Sequence, residues 1–360
     1  MIDMMMSFLV HTSNVSPVSH TTQIFSTIYV PSREASSASA FFQEDFILQY
    51  WLPKLMASTK TCINPCDSIQ AACQQLLQHS FAILRVEPET SDSLNAAWTA
   101  SRDFLSSIHK RPHDESRIIQ KYRRVENNYL LGFNRPSPHK LLFRALFSQE
   151  GIPDIPSQPW PCDIDGGALK SSSTKLATNL HRLLEMFLDK LKEETRVDCS
   201  QSQGVGERPA KKRKRNENTP NVSAVGDSAP CPLDYFLYHD RNDVENCSEH
   251  VDRGVLICIS LSRRVAGLEV LSRLDGCWHC PEAISMQESL YQENDTGCSD
   301  LICILSGDQL IRSIGIREEK VIQYPGLKAC VHRVRRRLSM ARLSISYELR
   351  SFMPRKRTTC

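Results

Sequence analysis

The stretch CSEHVDRGVLICIS, residues 247–260, joins a short polar segment to a run of apolar, strand-forming residues. His250 and Asp252 stand two positions apart just before that run. Side chains at positions i and i+2 of an extended strand point to the same side, so this pair could bind one metal ion together. The HxD pattern is common by chance, and a surface loop leading into a strand is the alternative. The choice depends on whether a third ligand exists elsewhere in the chain.

The composition limits the class of protein. The chain has 360 residues, of which 41% are hydrophobic and 24% charged, and its net charge of +3 does not by itself indicate a nucleic-acid or membrane partner. The opening sequence MIDMMMSFLV has no basic residue before its apolar run, so a secretory signal is not expected. No stretch approaches the length of a membrane span. Fourteen scattered cysteines form no recognisable disulfide framework, which predicts an intracellular protein with reduced thiols.

The region 41–196 is predicted to be rich in helices. PCDSIQAACQQLLQ at 65–78 has apolar residues at helical spacing, and the segment HSFAILRV that follows predicts a strand. A second helix is predicted near 93–107. The strongest helix is predicted for 175–195, whose apolar stripe should pack on a core. This stripe consists of Leu176, Leu180, Leu183, Leu184, Phe187 and Leu191.

Three segments have compositions typical of chains without a packed core. Residues 1–40 are rich in Ser, Thr and Val without a sustained period, which predicts disorder. Residues 197–230 form a polar, flexible insertion, and 351–360 form a basic tail. Within the insertion, the five consecutive basic residues from Lys211 to Arg215 resemble a nuclear-import signal. A solvated charge run is the alternative. The signal favours a nuclear over a cytoplasmic location and suggests the import machinery as a partner.

After Pro232 the sequence becomes β-like, with short apolar runs separated by turn-like segments, as in a sandwich or barrel. The last run, ARLSISYEL, alternates between an apolar and a polar side, which predicts a strand with two different faces. Such a polar face is usually exposed to water. In a barrel that binds a polar ligand inside, Arg342 and Ser344 would instead face the ligand together.

His332, within the β-like segment ACVHRV, supplies the candidate third ligand. Two histidines and one carboxylate leave about half of an octahedral coordination sphere open, the arrangement of non-haem Fe(II) oxygenases. The arginine at 342 is ten residues further on, with a serine at 344. A guanidinium with a neighbouring hydroxyl suits the capture of a carboxylate.

Five motifs in this order resemble the 2-oxoglutarate and Fe(II)-dependent dioxygenases of the isopenicillin N synthase-like group. The resemblance covers roughly 232–350. The motifs are HVDRG at 250–254 (HxDxG in the family), GLEVL at 267–271 with Trp278 (GLQVL…W), SGDQL at 306–310 (GDxL), HRV at 332–334 and RLS at 342–344 (HRV…RxS). His332 follows Asp252 by 80 residues, more than is usual in the family, and the excess lies in 283–300 and 314–328.

The resemblance implies an α+β fold whose core, residues 231–350, is a double-stranded β-helix of jelly-roll or cupin-like form with flanking helices. It implies that Fe(II) is bound by His250, Asp252 and His332. It also implies that 2-oxoglutarate is bound by Arg342 and Ser344 at its distal carboxylate, with Tyr238 as a further contact. Phe236 stands where the family often has asparagine, and YFLYHD lacks the proline that usually follows the tyrosine.

The implied activity uses Fe(II), 2-oxoglutarate and dioxygen to oxidise, and most simply to hydroxylate, an organic substrate, releasing succinate and carbon dioxide. A small molecule is the expected substrate. The alternative is a catalytically impaired binding or scaffold protein on the same fold, located in the nucleus.

Two further patterns indicate other ligands. CWHC at 277–280 has the spacing of half a zinc site, but no second pair with that spacing follows, so chance cysteines on a strand are the favoured interpretation. RVRRRLSMAR at 333–342 is basic, yet in the family it is the end of a hairpin. A solvated turn is therefore expected, and a nucleic-acid partner is not indicated.

Overall fold

The structure is a computed structural model that describes residues 63–109, 113–126, 129–148, 158–165, 167–201, 229–239, 246–289, 298–316, 322–335 and 340–350. The predicted disorder at 1–40, the basic run from Lys211 to Arg215 and the tail at 351–360 lie outside these residues.

Five helices lie in the N-terminal half of the described chain. They are α1 (Ile69–His79), α2 (Pro88–His109), α3 (Glu115–Tyr122), α4 (Cys162–Asp165) and α5 (Ala168–Gln201). The start of α1 is set by Ser68, whose hydroxyl oxygen accepts a hydrogen bond from the N–H of Ala71 at 3.2 Å and so caps the first turn. Helix α2 begins at Pro88, a residue suited to a first helical turn because its missing N–H would have no partner there.

The predicted apolar stripe of the long helix packs on the core. Leu176, Leu180 and Leu184 are buried, whereas Leu183 is only partly buried at the side of the stripe. The helix is longer than predicted at both ends and continues to Gln201, within the segment predicted to be a flexible insertion.

Twelve strands lie in the described residues. They are β1 (Phe81–Arg85), β2 (Arg123–Glu126), β3 (Tyr129–Ser137), β4 (Lys140–Phe147), β5 (Cys231–Tyr238), β6 (Cys247–His250), β7 (Leu256–Ser262), β8 (Leu268–Leu271), β9 (Trp278–His279), β10 (Cys298–Ser306), β11 (His332–Val334) and β12 (Arg342–Leu349). Strands β2, β3 and β4 lie in the region predicted to be rich in helices, where no strand was predicted beyond the one at HSFAILRV. Strand β4 reads KLLFRALF, a nearly continuous apolar run without the strict alternation that marks a strand buried on one face.

The strands form two antiparallel sheets. The large sheet has the order β1-β10-β7-β12-β5-β4-β3-β2, and the small sheet has the order β6-β11-β8-β9. From β5 onward the chain passes back and forth between them: β5, β7, β10 and β12 belong to the large sheet, and β6, β8, β9 and β11 to the small one. The predicted combination of helices with an antiparallel β core is confirmed.

Alternation along the strands gives the large sheet two buried faces. In β7, Ile257 and Ile259 pack with Leu268 and Val270 of the small sheet. Their neighbour Cys258 packs on the opposite side, in the cluster that contains the buried residues of α1, α2 and α5. The small sheet therefore covers one face of the large sheet, and the helices cover the other.

Three shorter helical segments follow in the C-terminal half. They are α6 (Pro281–Ser289), α7 (Leu310–Ile314) and a 3-10 turn at Pro325–Leu327. Helix α6 begins close to the predicted excess segment 283–300 and contributes a buried carboxylate to the interior, described below. Among the described residues, no helix combines the length and apolar character that crossing a bilayer requires. The cysteines whose side chains the structure describes are free thiols.

The contribution of α5 to the core can be measured by shortening one residue of its stripe. Leu184→Ala should reduce the free energy of unfolding by about 2–5 kcal/mol, because a fully buried leucine leaves a cavity when it is truncated. Met186→Ala is the matched control, since Met186 is 53% exposed on the same helix and its truncation should cost no more than about 0.5 kcal/mol. Chemical denaturation of both variants checks this. Equal losses would contradict the packing of α5 described here.

Candidate metal centre

The three predicted metal ligands are brought together by the small sheet. His250 is the last residue of β6 and His332 the first of β11, and these two residues are directly paired in the antiparallel register. Paired residues in such a ladder present their side chains on the same face. Asp252 lies two residues beyond the end of β6, on the loop that leads into β7. The sheet register therefore joins residues that are far apart in the sequence.

The ligand atoms of these residues form a compact group. One ligand atom from each of His250, Asp252 and His332 lies within 4.8 Å of the others. The Nε2 atom of His250 lies 3.7 Å from Asp252 Oδ1, and the Nε2 atom of His332 lies 3.4 Å from Asp252 Oδ2. The centroids of the two imidazole rings are 4.2 Å apart.

The orientation of both imidazole rings fits a metal bound through Nε2. His250 Nδ1 lies 2.7 Å from the carbonyl oxygen of Ser248, and His332 Nδ1 lies 3.3 Å from that of Cys330. A carbonyl oxygen can only accept, so each Nδ1 must be the protonated nitrogen that donates. In the neutral ring, this leaves the Nε2 lone pair free, and both Nε2 atoms face the Asp252 carboxylate. Two imidazole nitrogens and one carboxylate suit Fe(II) with open coordination positions.

The charges at the site favour an ionised carboxylate. Burial alone would raise the pKa of Asp252, but His332 and His250, when their imidazoles are protonated, outweigh burial and lower it. The hydrogen bond with the Cys247 thiol raises the pKa of His250 to about 9. A proton on His250 competes with a cation for Nε2, so metal affinity should fall as the pH is lowered.

A second turn fixes the backbone that carries Asp252. Three hydrogen bonds join the turn after β10 to the turn after β6: Gly307 N–H to Val255 O at 3.0 Å, Asp308 N–H to Asp252 O at 3.0 Å and Gln309 N–H to Gly254 O at 3.0 Å. The backbones of the two turns lie so close together that a Cβ on Gly307 would be 2.0 Å from the carbonyl oxygen of Gly254. This contact explains why the HxDxG and GDxL motifs occur together: one holds the carboxylate ligand, and the other fixes its loop.

The residues predicted to bind the distal carboxylate of 2-oxoglutarate lie on the inner side of the large sheet. Arg342 is paired with Tyr238 of β5, and Ser344 with Phe236. The Arg342 and Ser344 side chains belong to residues that are only 1% and 3% exposed. Tyr238 and Phe236 pack with Cys247 of β6 and Val334 of β11, so this face looks toward the strands that carry the metal ligands.

Arg342 already has a carboxylate partner within the protein. Its Nε donates to Glu282 Oε1 at 2.8 Å, and its Nη2 lies 2.8 Å from the same oxygen. The other carboxylate oxygen, Oε2, accepts from the N–H groups of Gly267 at 2.6 Å and Leu268 at 2.9 Å. The two side chains are 1% and 0% exposed, and among the described residues no other atom accepts a hydrogen bond from Nη2. Burial alone would lower the pKa of Arg342, but the charge of Glu282 raises it, so the guanidinium stays protonated.

Known structures with a similar fold are found by structural comparison, but no similar sequence is. No family model matches the sequence, and no curated protein matches it significantly. A protein from Caulobacter crescentus described as a 2OG-Fe(II) oxygenase family member matches the structure with a TM-score of 0.51 and 18% identity, over 81% of this chain and 88% of that one. A protein from Shewanella oneidensis described as an oxygenase gives a TM-score of 0.50 and 14% identity, over 81% and 90%. The chain has the fold of the 2OG-Fe(II) oxygenases.

At this level of identity, the likeness establishes the oxygenase fold alone. It confirms the predicted oxygenase fold and agrees with the jelly-roll core expected from the motifs. The individual roles of Tyr238, Arg342 and Ser344 in binding a ligand remain predictions, because the comparisons do not test single residues.

Two side chains near the site on the oxygenase fold were missed by sequence reasoning. Glu282 lies in a polar segment, where a glutamate is ordinarily solvated. Lys140 begins β4, and its Nζ lies 4.3 Å from the centroid of the Phe236 ring and 5.1 Å from that of Tyr238. Lys140 and Arg144 are four residues apart in one strand and so share a face, a weak signal that two cations are directed inward.

The CWHC segment does not form a second metal site in the described residues. Cys277 is exposed, Cys280 is partly buried, and His279 Nε2 lies 3.3 Å from Asp275 Oδ2. Among the residues that the structure describes, the group at positions 250, 252 and 332 is the one set of three or more side chains suited to a metal.

The contact between the two turns gives a test of how Asp252 is positioned. Gly307→Ala should lower the free energy of unfolding by about 1–3 kcal/mol and weaken Fe(II) binding, because a methyl group cannot fit against the backbone of Gly254 without moving it. Asp308→Ala is the control: its side chain is exposed, and alanine keeps the N–H that donates to Asp252. Thermal unfolding and Fe(II) titration under anaerobic conditions give both readouts. If Gly307→Ala bound iron as tightly as the Asp308 control, this account of the motif would be wrong.

Proposed function

We propose that this protein is a non-haem Fe(II) and 2-oxoglutarate-dependent dioxygenase that oxidises, most simply by hydroxylation, an organic small molecule. The observation that carries the proposal is the group formed by His250, Asp252 and His332. Both imidazoles are held through Nδ1 by backbone carbonyls and direct Nε2 toward the one carboxylate. This donor set leaves coordination positions open for a chelating cosubstrate and dioxygen.

The strand order supports the finer assignment of the core as a double-stranded β-helix of the isopenicillin N synthase-like group. The chain alternates between the sheets from β5 to β12, with β8 and β9 as consecutive strands of the small sheet. The motif order read from the sequence supports the same assignment.

The protein's own side chains prepare the site for this chemistry. When bound, Fe(II) and 2-oxoglutarate supply the oxidation of a C–H bond by dioxygen, with release of succinate and carbon dioxide. His250, Asp252 and His332 would hold the metal, and the negative charge of Asp252 offsets part of the metal's charge. Apolar side chains, including Val265 between β7 and β8 and Val334 of β11, pack with Tyr238 and would exclude water beside the centre.

The alternative of a catalytically impaired scaffold protein is not favoured. Loss of chemistry on this fold would be most simply reached by losing a metal ligand, and the three candidate ligands place their ligand atoms within 4.8 Å of one another. The identity of the substrate depends on side chains around the open coordination positions, for which the fold gives no rule.

Removal of single ligands tests the metal centre. The purified protein should bind one Fe(II), and His250→Ala and His332→Ala should each abolish stoichiometric binding, because two remaining ligands are too few to retain the ion. His279→Ala is the control, since it removes an imidazole that is not part of the group. Anaerobic calorimetric titration with Fe(II) measures all four proteins. Full iron binding by both ligand variants would exclude the proposed centre, and a matching loss in the control would indicate general damage.

A nuclear location is the second part of the proposal, and it rests on the sequence alone. The basic run from Lys211 to Arg215 lies outside the described residues, and its contiguous charge follows a proline in a polar segment. Such a run suits the acidic surface of nuclear-import receptors.

A fusion experiment tests this location. A reporter protein joined to residues 205–220 should accumulate in nuclei, and replacing Lys211 to Arg215 with alanines should return it to an even distribution. Fluorescence microscopy of both fusions measures the nuclear share. A reporter with the intact segment that spreads evenly through the cell would refute the import role.

A further inference from the structure

The ion pair between Arg342 and Glu282 creates a charge problem for the cosubstrate. The positive charge of Arg342 is already balanced by a carboxylate that is itself fully buried. Glu282 is held in place by two backbone N–H groups, those of Gly267 and Leu268, so it belongs to the folded structure rather than to an exchangeable surface. A ligand carboxylate placed beside Arg342 would add a second negative charge to a space that excludes water. An uncompensated charge there is costly, so a second cation is needed.

The position of Lys140 in the large sheet makes it the candidate for this second cation. It is paired with Tyr238 of β5, and Tyr238 is paired on its other side with Arg342 of β12, so the three residues form one row across three neighbouring strands. Directly opposite residues share a face of the sheet. The Lys140 ammonium lies 5.1 Å from the centroid of the Tyr238 ring, and the Arg342 guanidinium carbon lies 5.6 Å from it. Both cations therefore flank a single aromatic ring.

The surroundings of Lys140 leave its charge available. It is partly buried over the rings of Phe236 and Tyr238, and within the described residues no carboxylate lies within ion-pair distance of its Nζ. Its charge is one of those felt by the Asp252 carboxylate, which places it on the side of the metal centre. A partly desolvated ammonium without a counter-ion is a ready site for an anion.

We propose that Lys140 supplies the positive charge that binds the distal carboxylate of 2-oxoglutarate, while Arg342, neutralised by Glu282, contributes hydrogen bonds without net charge. This inference rests on the proposed function. It revises the interpretation in which Arg342, with Ser344, supplies the positive charge for that carboxylate, and it makes Lys140 a cosubstrate-binding residue outside the five sequence motifs.

A pair of ligands that differ only at the distal end separates this role from a structural one. 2-Oxoglutarate and 2-oxopentanoate share the keto acid end that chelates iron, but the second ends in a methyl group. Lys140→Met should weaken binding of 2-oxoglutarate by roughly ten- to a hundredfold, as expected for loss of a charge-assisted contact. It should leave binding of 2-oxopentanoate unchanged. Lys140→Arg should keep part of the affinity, because it keeps the charge.

The measurement is an anaerobic titration of the Fe(II)-loaded protein, followed by the charge-transfer absorbance between iron and the keto acid. Lys175→Met, an exposed lysine on α5, is the matched control and should bind both ligands like the original protein. Unchanged 2-oxoglutarate binding in Lys140→Met would overturn the proposal, as would an equal loss for both ligands, which a merely structural contact would give. If the original protein failed to bind 2-oxoglutarate at all, the proposed function itself would fail, a result distinct from the other two.

Glu282→Gln tests the charge balance directly. Removing the internal negative charge frees the charge of Arg342 for the ligand, so Glu282→Gln should restore 2-oxoglutarate binding to the Lys140→Met protein. No restoration in a folded double variant would overturn the proposal. Circular dichroism establishes whether the variants fold. Should the buried substitution prevent folding, the comparison of the two ligands in Lys140→Met still decides.

Discussion

The ion pair between Glu282 and Arg342 connects the two sheets. Arg342 belongs to β12 of the large sheet, and Glu282 reaches from α6 to the backbone N–H groups at the start of β8 in the small sheet. Burying each charge costs several kcal/mol, which is recovered only when the geometry is good and the carboxylate oxygens have further donors. Here both oxygens have partners. The pair therefore fixes the distance between the sheets, and loss of either member would leave an uncompensated buried charge.

This pair divides the space between the sheets into two chemically different parts. Around β1, β7 and β10 the inner side chains are apolar and pack against β8. Around β4, β5 and β12 the inner face includes rows of polar side chains, one of them Arg144, Asp234 and Ser346, in which Arg144 donates twice to Asp234 at 2.6 and 2.5 Å. The candidate metal ligands lie on the small-sheet strands β6 and β11 and on the adjoining loop. An iron centre that receives a charged cosubstrate needs such a polar wall beside it, whereas the apolar part gives the fold its core.

The parts that the sequence predicted are those determined by short-range constraints. The HxDxG and GDxL motifs record a close backbone contact that tolerates no Cβ on Gly307, so the residue types are restricted locally. The apolar stripe of α5 corresponds to the one face of the helix that is buried. Strand β4, in contrast, is buried on both faces and lacks alternation, and Glu282 meets Arg342 across 60 residues. A glutamate in a polar segment has no sequence feature that distinguishes a buried ion pair from a solvated side chain.

Phe236 connects these observations. The family that the sequence resembles often has asparagine at this position, and a phenylalanine there loses a polar group near the cosubstrate. In this chain the Phe236 ring lies under the Lys140 ammonium at 4.3 Å, a cation–π contact of about 0.5–2 kcal/mol. An asparagine side chain has no aromatic face to offer. The apolar residue at 236, the lysine at 140 and the neutralised arginine at 342 are therefore consistent parts of one arrangement. Glu282 neutralises the positive charge of Arg342, and in the proposed arrangement Lys140 supplies a second positive charge. The Phe236 ring orients the Lys140 side chain.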